Sequence, residues 1–119
     1  MLFDTTQLAL ERTISGAAAR NEALAANLAN ANTPGYQRVD VSFHSALADA
    51  MGSERPKEAL ERTSFTAETD PTAVTRADGS SVDVDAESAK LAANGLEHQA
   101  AVQIAAARLG IMRSAMGVG

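Results

Sequence analysis

Two histidines, His44 and His98, are the residues of this 119-residue chain whose types most readily serve acid–base or metal chemistry. A metal or general-base site would need a second ligand at helical spacing, such as another histidine four residues on, and neither has one. His98 instead falls on an apolar helical stripe, where a packed core or interface histidine is the expected role. Ser80-Ser81 offers hydroxyls, but in a loop that lacks the strand–turn–helix setting of a nucleophile elbow. No glycine-rich loop follows a strand to hold a phosphate. The carboxylates are scattered singly, which reads as a solvated face and not as an acid/base pair. With no cysteine there is neither a thiolate nor a disulfide framework. The expectation is a chain that is no enzyme, with no cofactor, no metal and no small-molecule substrate.

The informative stretch is Asn27-Leu-Ala-Asn-Ala-Asn-Thr-Pro-Gly-Tyr36, where a helical pattern stops and an extended one begins. Asn32 tolerates the left-handed conformation found past helix ends. Thr33 precedes a proline and is pushed away from helical angles. Pro34 has no N–H to give. Pro34-Gly35 suits the central positions of a type II turn, with glycine at the positive φ. Asn27, Asn30, Asn32, Thr33, Pro34, Gly35 and Tyr36 are thus the candidate turn residues.

A helix must lead into this turn. From Asp4 to Ala31 a stripe at alternating steps of three and four runs Phe3, Gln7, Leu10, Ile14, Ala17, Asn21, Leu24, Leu28 and Ala31. Asp4 or Thr5 can cap its start. Asn21 reads as a polar residue that fixes register. At 1.5 Å per residue the helix is about 40 Å long, and a stripe so thin requires a helical partner.

A second helix supplies that partner. It starts near Asp83, the candidate N-cap, with Asp85 and Glu87 in its first turn, where the helix dipole favours negative charge. Its stripe is Ser88, Leu91, Gly95, His98, Val102, Ala105, Leu109, Met112 and Met116, widened by Leu96, Ile104 and Ile111. Gly16, Gly95 and Gly110 are expected to let helices approach closely.

Between the helices, Tyr36 to Phe43 alternates as a short strand or extended arm. Ser45–Met51 and Lys57–Arg62 each allow a short helical turn. Gly52 to Ser81 is poor in apolar anchors and reads as a flexible connector or small hairpin-bearing insertion, with a turn at Asp78-Gly79. The expected fold is mainly α: long terminal helices packed as an antiparallel, coiled-coil-like hairpin around an irregular middle. The chain divides into 1–35, 36–82 and 83–119, one small domain in all.

Composition narrows the partners. Aromatics are 3% of residues and the apolar 45% is rich in alanine, so the helices bury little by themselves and must pack on other chains. A net charge of −5 disfavours nucleic acid. No apolar run is long enough to span a membrane, and Met1-Leu2-Phe3-Asp4 has no cleavable-signal pattern.

Three stretches carry a family likeness: Asn27 to Arg38, the acidic Val39-Asp-Val-Ser-Phe43, and Asp78 to Asp85 leading into Lys90–Asn94 and Arg113–Met116. Together they resemble the bacterial flagellar rod and hook proteins, and among them the B-type basal-body rod proteins of the proximal rod. His98 departs from the aromatic expected there. The resemblance implies a non-enzymatic subunit, exported through the flagellar type III apparatus without a cleaved signal. It implies polymerisation through the terminal helices into the hollow periplasmic shaft that carries motor torque. Partners would be further copies of the chain, other rod subunits, and the inner membrane ring or export gate adaptor at the rod base. The packing residues on this reading are Leu10, Ile14, Asn21, Leu24, Leu28, Leu91, His98, Val102, Leu109 and Met112. A small cytoplasmic helical adaptor is the alternative.

Overall fold

The computed structural model describes residues 4–117. In chain order the elements are α1 (Thr5–Ala29), β1 (Val39–Asp40), α2 (Phe43–Met51), α3 (Pro56–Arg62), β2 (Glu68–Thr69) and α4 (Val84–Ala115). The chain is mainly helical, and its long terminal helices pack on each other as expected. Asp4 and Gln7 meet Arg108, Ala17 meets Asn94, and Asn27 meets Glu87, so the pair is antiparallel. The molecule measures 61 × 32 × 14 Å, little more than one helix in thickness.

Local chemistry sets the helix ends. Asp4 is extended, and its carboxylate accepts the N–H of Gln7 at 2.8 Å. Asp83 does the same for α4, accepting from Asp85 and Ala86 at 3.1 and 3.3 Å. α1 stops at Ala29, two residues short of the expected Ala31. Asn30 is its C-cap, and the Asn30 side chain donates to the Ala26 carbonyl at 2.9 Å and accepts the Thr33 hydroxyl at 3.2 Å. Asn32 is not left-handed, since no described non-glycine residue has a positive φ. The Thr33–Tyr36 turn closes with a 3.1 Å bond from the Tyr36 N–H to the Thr33 carbonyl, and Gly35 takes φ +77° as type II geometry requires.

The core lies on one side of α1. Ala17, Ala23, Val41 and Phe43 are buried together, with Val39, Leu47 and Phe65 packed around them. Phe43 is fully buried and meets Phe65 edge-on, ring centres 6.3 Å apart. It begins α2, where the alternation from Tyr36 read it as the end of an extended arm. Gly16 makes this packing possible, because a Cβ there would sit 2.6 Å from the Phe43 Cβ. Gly95 and Gly110 have no such role, since an added Cβ at either meets nothing within 4 Å.

Residues 52–81, expected to be loose, carry α3 and β2. Leu60 of α3 is fully buried, and β2 pairs antiparallel with β1, Val39 opposite Thr69 and Asp40 opposite Glu68. Apolar anchors are as sparse as the sequence says. The segment is held instead by polar ties that sequence spacing does not display.

The largest departure concerns the face by which α4 meets α1. The buried residues of α4 are Glu87, Asn94, Ala101 and Ala105. Of the expected stripe Ala105 lies in this contact and Leu91, His98 and Met112 are half-buried, while Val102 and Leu109 remain 41% and 42% exposed. Leu96, Ile104 and Ile111 do not widen that face, because all three are exposed. Small and polar residues let the two helices sit close, which leaves the larger side chains outside. Phe3, first in the α1 stripe, lies outside the described residues.

Candidate functional site

Arg38 is the hub of the junction between the hairpin and the middle segment. Its guanidinium pairs with Glu87 at the start of α4, with Asp70 after β2 at 2.6 Å, and with Asp40 of β1 at 3.2 Å. The Arg38 and Glu87 side chains are only 5% and 1% exposed. Arg20 of α1 closes the far side, with bonds of 2.8 and 3.2 Å to Asp40. Burial alone would disfavour the charge on Arg38, but the three carboxylates more than offset this and raise its pKa.

Asn27 is the neutral half of this junction. Its Nδ2 donates to the Val39 carbonyl at 2.7 Å and to Glu87 at 3.1 Å. Its Oδ1 accepts the Val39 N–H at 2.9 Å and the Tyr36 hydroxyl at 3.3 Å. Asn27 therefore mimics a strand partner for the chain leaving the turn, while holding the N-terminal turn of α4. Backbone ties run alongside: the Arg38 N–H donates to the Ser81 hydroxyl at 2.8 Å, and the Ser81 N–H to the Tyr36 carbonyl at 3.0 Å.

The tip beyond this junction is made of two glycine turns set back to back. The Gly35 N–H donates to the Asp78 carbonyl at 3.0 Å, and a Cβ on Gly79 (φ +83°) would lie 3.2 Å from the Gly35 Cα. Arg76 joins the tip to the segments that leave α1 and enter α4, donating to the Ala31 carbonyl at 2.8 Å and the Val82 carbonyl at 3.1 Å.

These bonds tie stability to pH. The hydroxyl and N–H of Thr72, with Arg38 beside them, hold the Asp70 carboxyl down to about 2. Burial raises the Asp40 carboxyl, but Arg20, the Val41 N–H and Arg38 prevail and lower it. The Ser80 N–H and Arg76 lower Asp78, and the Gln7 N–H lowers Asp4 against a smaller opposing effect of burial. A carboxyl depressed by folding stabilises the fold above its unfolded value, and that contribution is lost as pH falls through the folded value. Stability is therefore expected to be flat from pH 7 to about 5, then to fall between about pH 4 and 2. Urea midpoints across this range check it, and a midpoint unchanged at pH 2.5 would contradict the role given to these carboxylates.

A second feature lies on the face of the slab opposite α2. Here α1 and α4 leave an open cleft of about 320 Å³, lined by Ala18, Asn21, Asn94, Gly95 and His98. Residues seven apart share a helix face. Asn21 therefore brings Ile14 and Leu28 to this side, His98 brings Leu91, and Gly95 brings Val102 and Leu109. The result is an apolar flank along the hairpin that is only partly covered: Val102 and Leu109 are exposed, and Ile14, Leu28 and Leu91 half-buried.

The sequence-derived residues thus fall into separate places. Asn27 is buried in the junction, Asn30 caps α1, and Tyr36 is half-buried against Asn27. Asn32, Thr33, Pro34 and Gly35 are exposed at the tip. Leu24 is fully buried; Leu10, Ile14, Leu28, Leu91, His98 and Met112 are half-buried; Asn21, Val102 and Leu109 are exposed. His44 bonds Glu97, the residue before His98, at 2.6 Å. Sequence reasoning missed Arg38, Asp70 and Asn94, and took Glu87 only for a helix-dipole residue. The one local hint was a basic residue, Arg38, two positions before Asp40 in an otherwise apolar and acidic arm.

Comparison with known proteins bears on the same residues. A family model described as "Flagella basal body rod protein" matches residues 8–37, which is most of α1 and the whole Thr-Pro-Gly-Tyr turn. The flagellar basal body rod protein FlgB of Escherichia coli (strain K12) is 38% identical over 98 residues, covering 69% of this chain and 71% of that protein. The protein of the same name from Salmonella typhimurium (strain LT2) is 35% identical over 117 residues, covering 84% and 85%. That of Aeromonas hydrophila is 30% identical over 111 residues, covering 82% and 83%.

Proposed function

Given that this chain belongs to the flagellar basal body rod protein family, and is a structural subunit of that rod, we propose that it is built into the rod through the apolar flank of its α1–α4 hairpin. The observation that carries this reading is an apolar row on a slab about one helix thick, with Val102 and Leu109 exposed and Ile14, Leu28 and Leu91 half-buried. Such a row supplies the hydrophobic drive for adding the subunit to its neighbours. Burying apolar surface at roughly 25 cal/mol per Å², a few such side chains per contact give a drive that many copies multiply.

In this reading the hairpins of successive subunits form the wall of a hollow periplasmic shaft, and the shaft carries motor torque. The neighbours are further copies and other rod subunits, with the inner membrane ring or export gate adaptor at the base. Export proceeds through the flagellar type III apparatus without a cleaved signal. The Arg38 junction serves this function indirectly. It fixes the middle segment to the hairpin from the other face, so that torque crossing the subunit meets one rigid body.

Leu109→Asp and Val102→Asp test the flank. More than half of each side chain is covered in the monomer, so each change is expected to cost about 1–2 kcal/mol of monomer stability, too little to unfold it. Each should nevertheless abolish motility and recovery of the subunit in isolated basal bodies. Normal swimming and normal basal-body yield in both variants would remove the flank from assembly.

A further inference from the structure

Asn94-Gly95 is the chain's one Asn-Gly pair. A glycine after asparagine leaves the next backbone nitrogen unshielded, because no Cβ stands beside it. In an unfolded chain that nitrogen attacks the side-chain carbonyl carbon of the asparagine. The N–Cγ bond forms as the Cγ–Nδ2 bond breaks, and the amide leaves as ammonia, taking up the proton of the Gly95 nitrogen. Water then opens the cyclic imide at either of its carbonyls. One opening gives aspartate. The other gives isoaspartate, whose main chain runs through the former side chain and is a methylene longer.

The fold blocks each of these steps. The pair lies inside α4, whose helical backbone engages the Gly95 N–H and holds it away from the Asn94 side chain. Asn94 is 1% exposed, which keeps out the water that opens the imide. Its Nδ2 donates to the Ala17 carbonyl at 2.8 Å, which fixes the amide across the α1–α4 contact. The same contact cannot accept the product. Asn94 Oδ1 is already buried without a hydrogen-bond partner among the described residues. An aspartate would put a second acceptor oxygen, and a charge, against the Ala17 carbonyl where a donor now stands, and a buried charge without a donor strongly opposes folding. Isoaspartate would break the hydrogen-bond ladder in the middle of α4.

We propose that Asn94 is a deamidation site controlled by the packing of α4 on α1: the reaction proceeds while the hairpin is open, stops when it closes, and once complete prevents closure. Folding and modification then exclude each other. A chain that closes its hairpin promptly keeps Asn94. A chain that stays open is converted, irreversibly and with water as the only co-reactant, into a form that can no longer close. The pair works as a one-way clock that withdraws lingering unfolded chains from the pool of usable subunits.

The full chain is held at about pH 8 in native buffer and in guanidinium chloride, and peptide mass spectrometry follows each asparagine. In denaturant Asn94 is expected to deamidate ahead of Asn21, Asn27, Asn30 and Asn32, none of which precedes glycine. In native buffer Asn94 is expected to react at least ten-fold more slowly than in denaturant, the protection given by a closed hairpin. Asn32, exposed in the turn, is expected to change far less, which controls for any direct effect of the denaturant. Gly95→Ala, whose added Cβ meets nothing within 4 Å, is expected to fold normally and to slow the reaction in denaturant at least ten-fold. The treated wild-type chain is then refolded and its folded fraction isolated by gel filtration. Unmodified chain is expected there and deamidated chain is not. Asn94→Asp, made directly, is expected to lower the unfolding midpoint or to prevent folding. Equal rates at Asn94 in buffer and denaturant overturn the proposal. So does deamidated chain in the folded fraction, or a wild-type midpoint for Asn94→Asp.

Discussion

Arg38→Met is expected to destabilise the monomer by about 3–5 kcal/mol, the cost of breaking a buried ion pair from one side. Glu87 is the reason. Its carboxylate is 1% exposed, and with Arg38 gone the Asn27 amide at 3.1 Å is the donor left facing it. A neutral amide cannot replace a guanidinium in solvating a buried charge. Asp70 and Asp40 also lose a partner, but each is about one-fifth exposed and water takes up the bond at small cost. The loss therefore belongs to Glu87, and the double variant Arg38→Met, Glu87→Leu is expected to regain most of it. Urea unfolding at pH 7 of the wild type, both single variants and the double gives the coupling directly. A single-variant loss below about 1 kcal/mol, or a double no better than Arg38→Met, would mean that Glu87 reaches water when Arg38 leaves, contrary to the burial seen here.

What local sequence dictates, it displayed. Asp83 as N-cap, the Pro34-Gly35 turn, the turn at Asp78-Gly79 and the antiparallel terminal helices all follow from chemistry within a few residues, or from a periodicity sustained over a long stretch. The hub was not legible, because Arg38 and Glu87 stand 49 residues apart and the nearby Asp40 alone does not point to a partner at that distance. The phase of α4 was not legible for a different reason. Its stripe could be traced through Leu91, His98, Val102 and Leu109 because large apolar residues usually mark the inward face. Here the inward face is made by Asn94, Ala101 and Ala105, and alanine is too small and too frequent in this chain to mark a face. Glycine misled in the same way. Gly16, Gly95 and Gly110 look alike in sequence, yet only Gly16 has a ring against it. Both departures share a cause: bulky apolar residues and glycines were assigned to the α1–α4 contact, which is made instead by alanines and polar side chains. Larger side chains stay outside because a hairpin one helix thick has too little interior to take them. For a subunit of an assembly that outward placement is the informative signal.

Phe43→Ala is expected to be equally costly, about 3–5 kcal/mol for a fully buried aromatic in a small core. Phe43 touches Gly16, stacks edge-on with Phe65, and carries the attachment of α2 to α1. The chain has three phenylalanines and no tryptophan, so no other large side chain stands ready to fill the void. Gly16→Ala attacks the same contact from the other side. Helix propensity would gain up to about 1 kcal/mol, but the new methyl meets the Phe43 Cβ itself, which no rotation of the ring can move aside, so overpacking at about 1–3 kcal/mol wins. Combined, the two changes should cost less than their sum, because α2 can settle once the ring is gone. Strict additivity in urea unfolding would show that Gly16 and Phe43 do not share one packing site. The functional consequence differs in kind from that of Leu109→Asp. Phe43 lies on the face opposite the apolar flank, so Phe43→Ala acts on assembly only through the folded fraction. Lowering the growth temperature should therefore restore motility to Phe43→Ala and leave Leu109→Asp immotile, which separates the residues that build the subunit from those that join it to its neighbours.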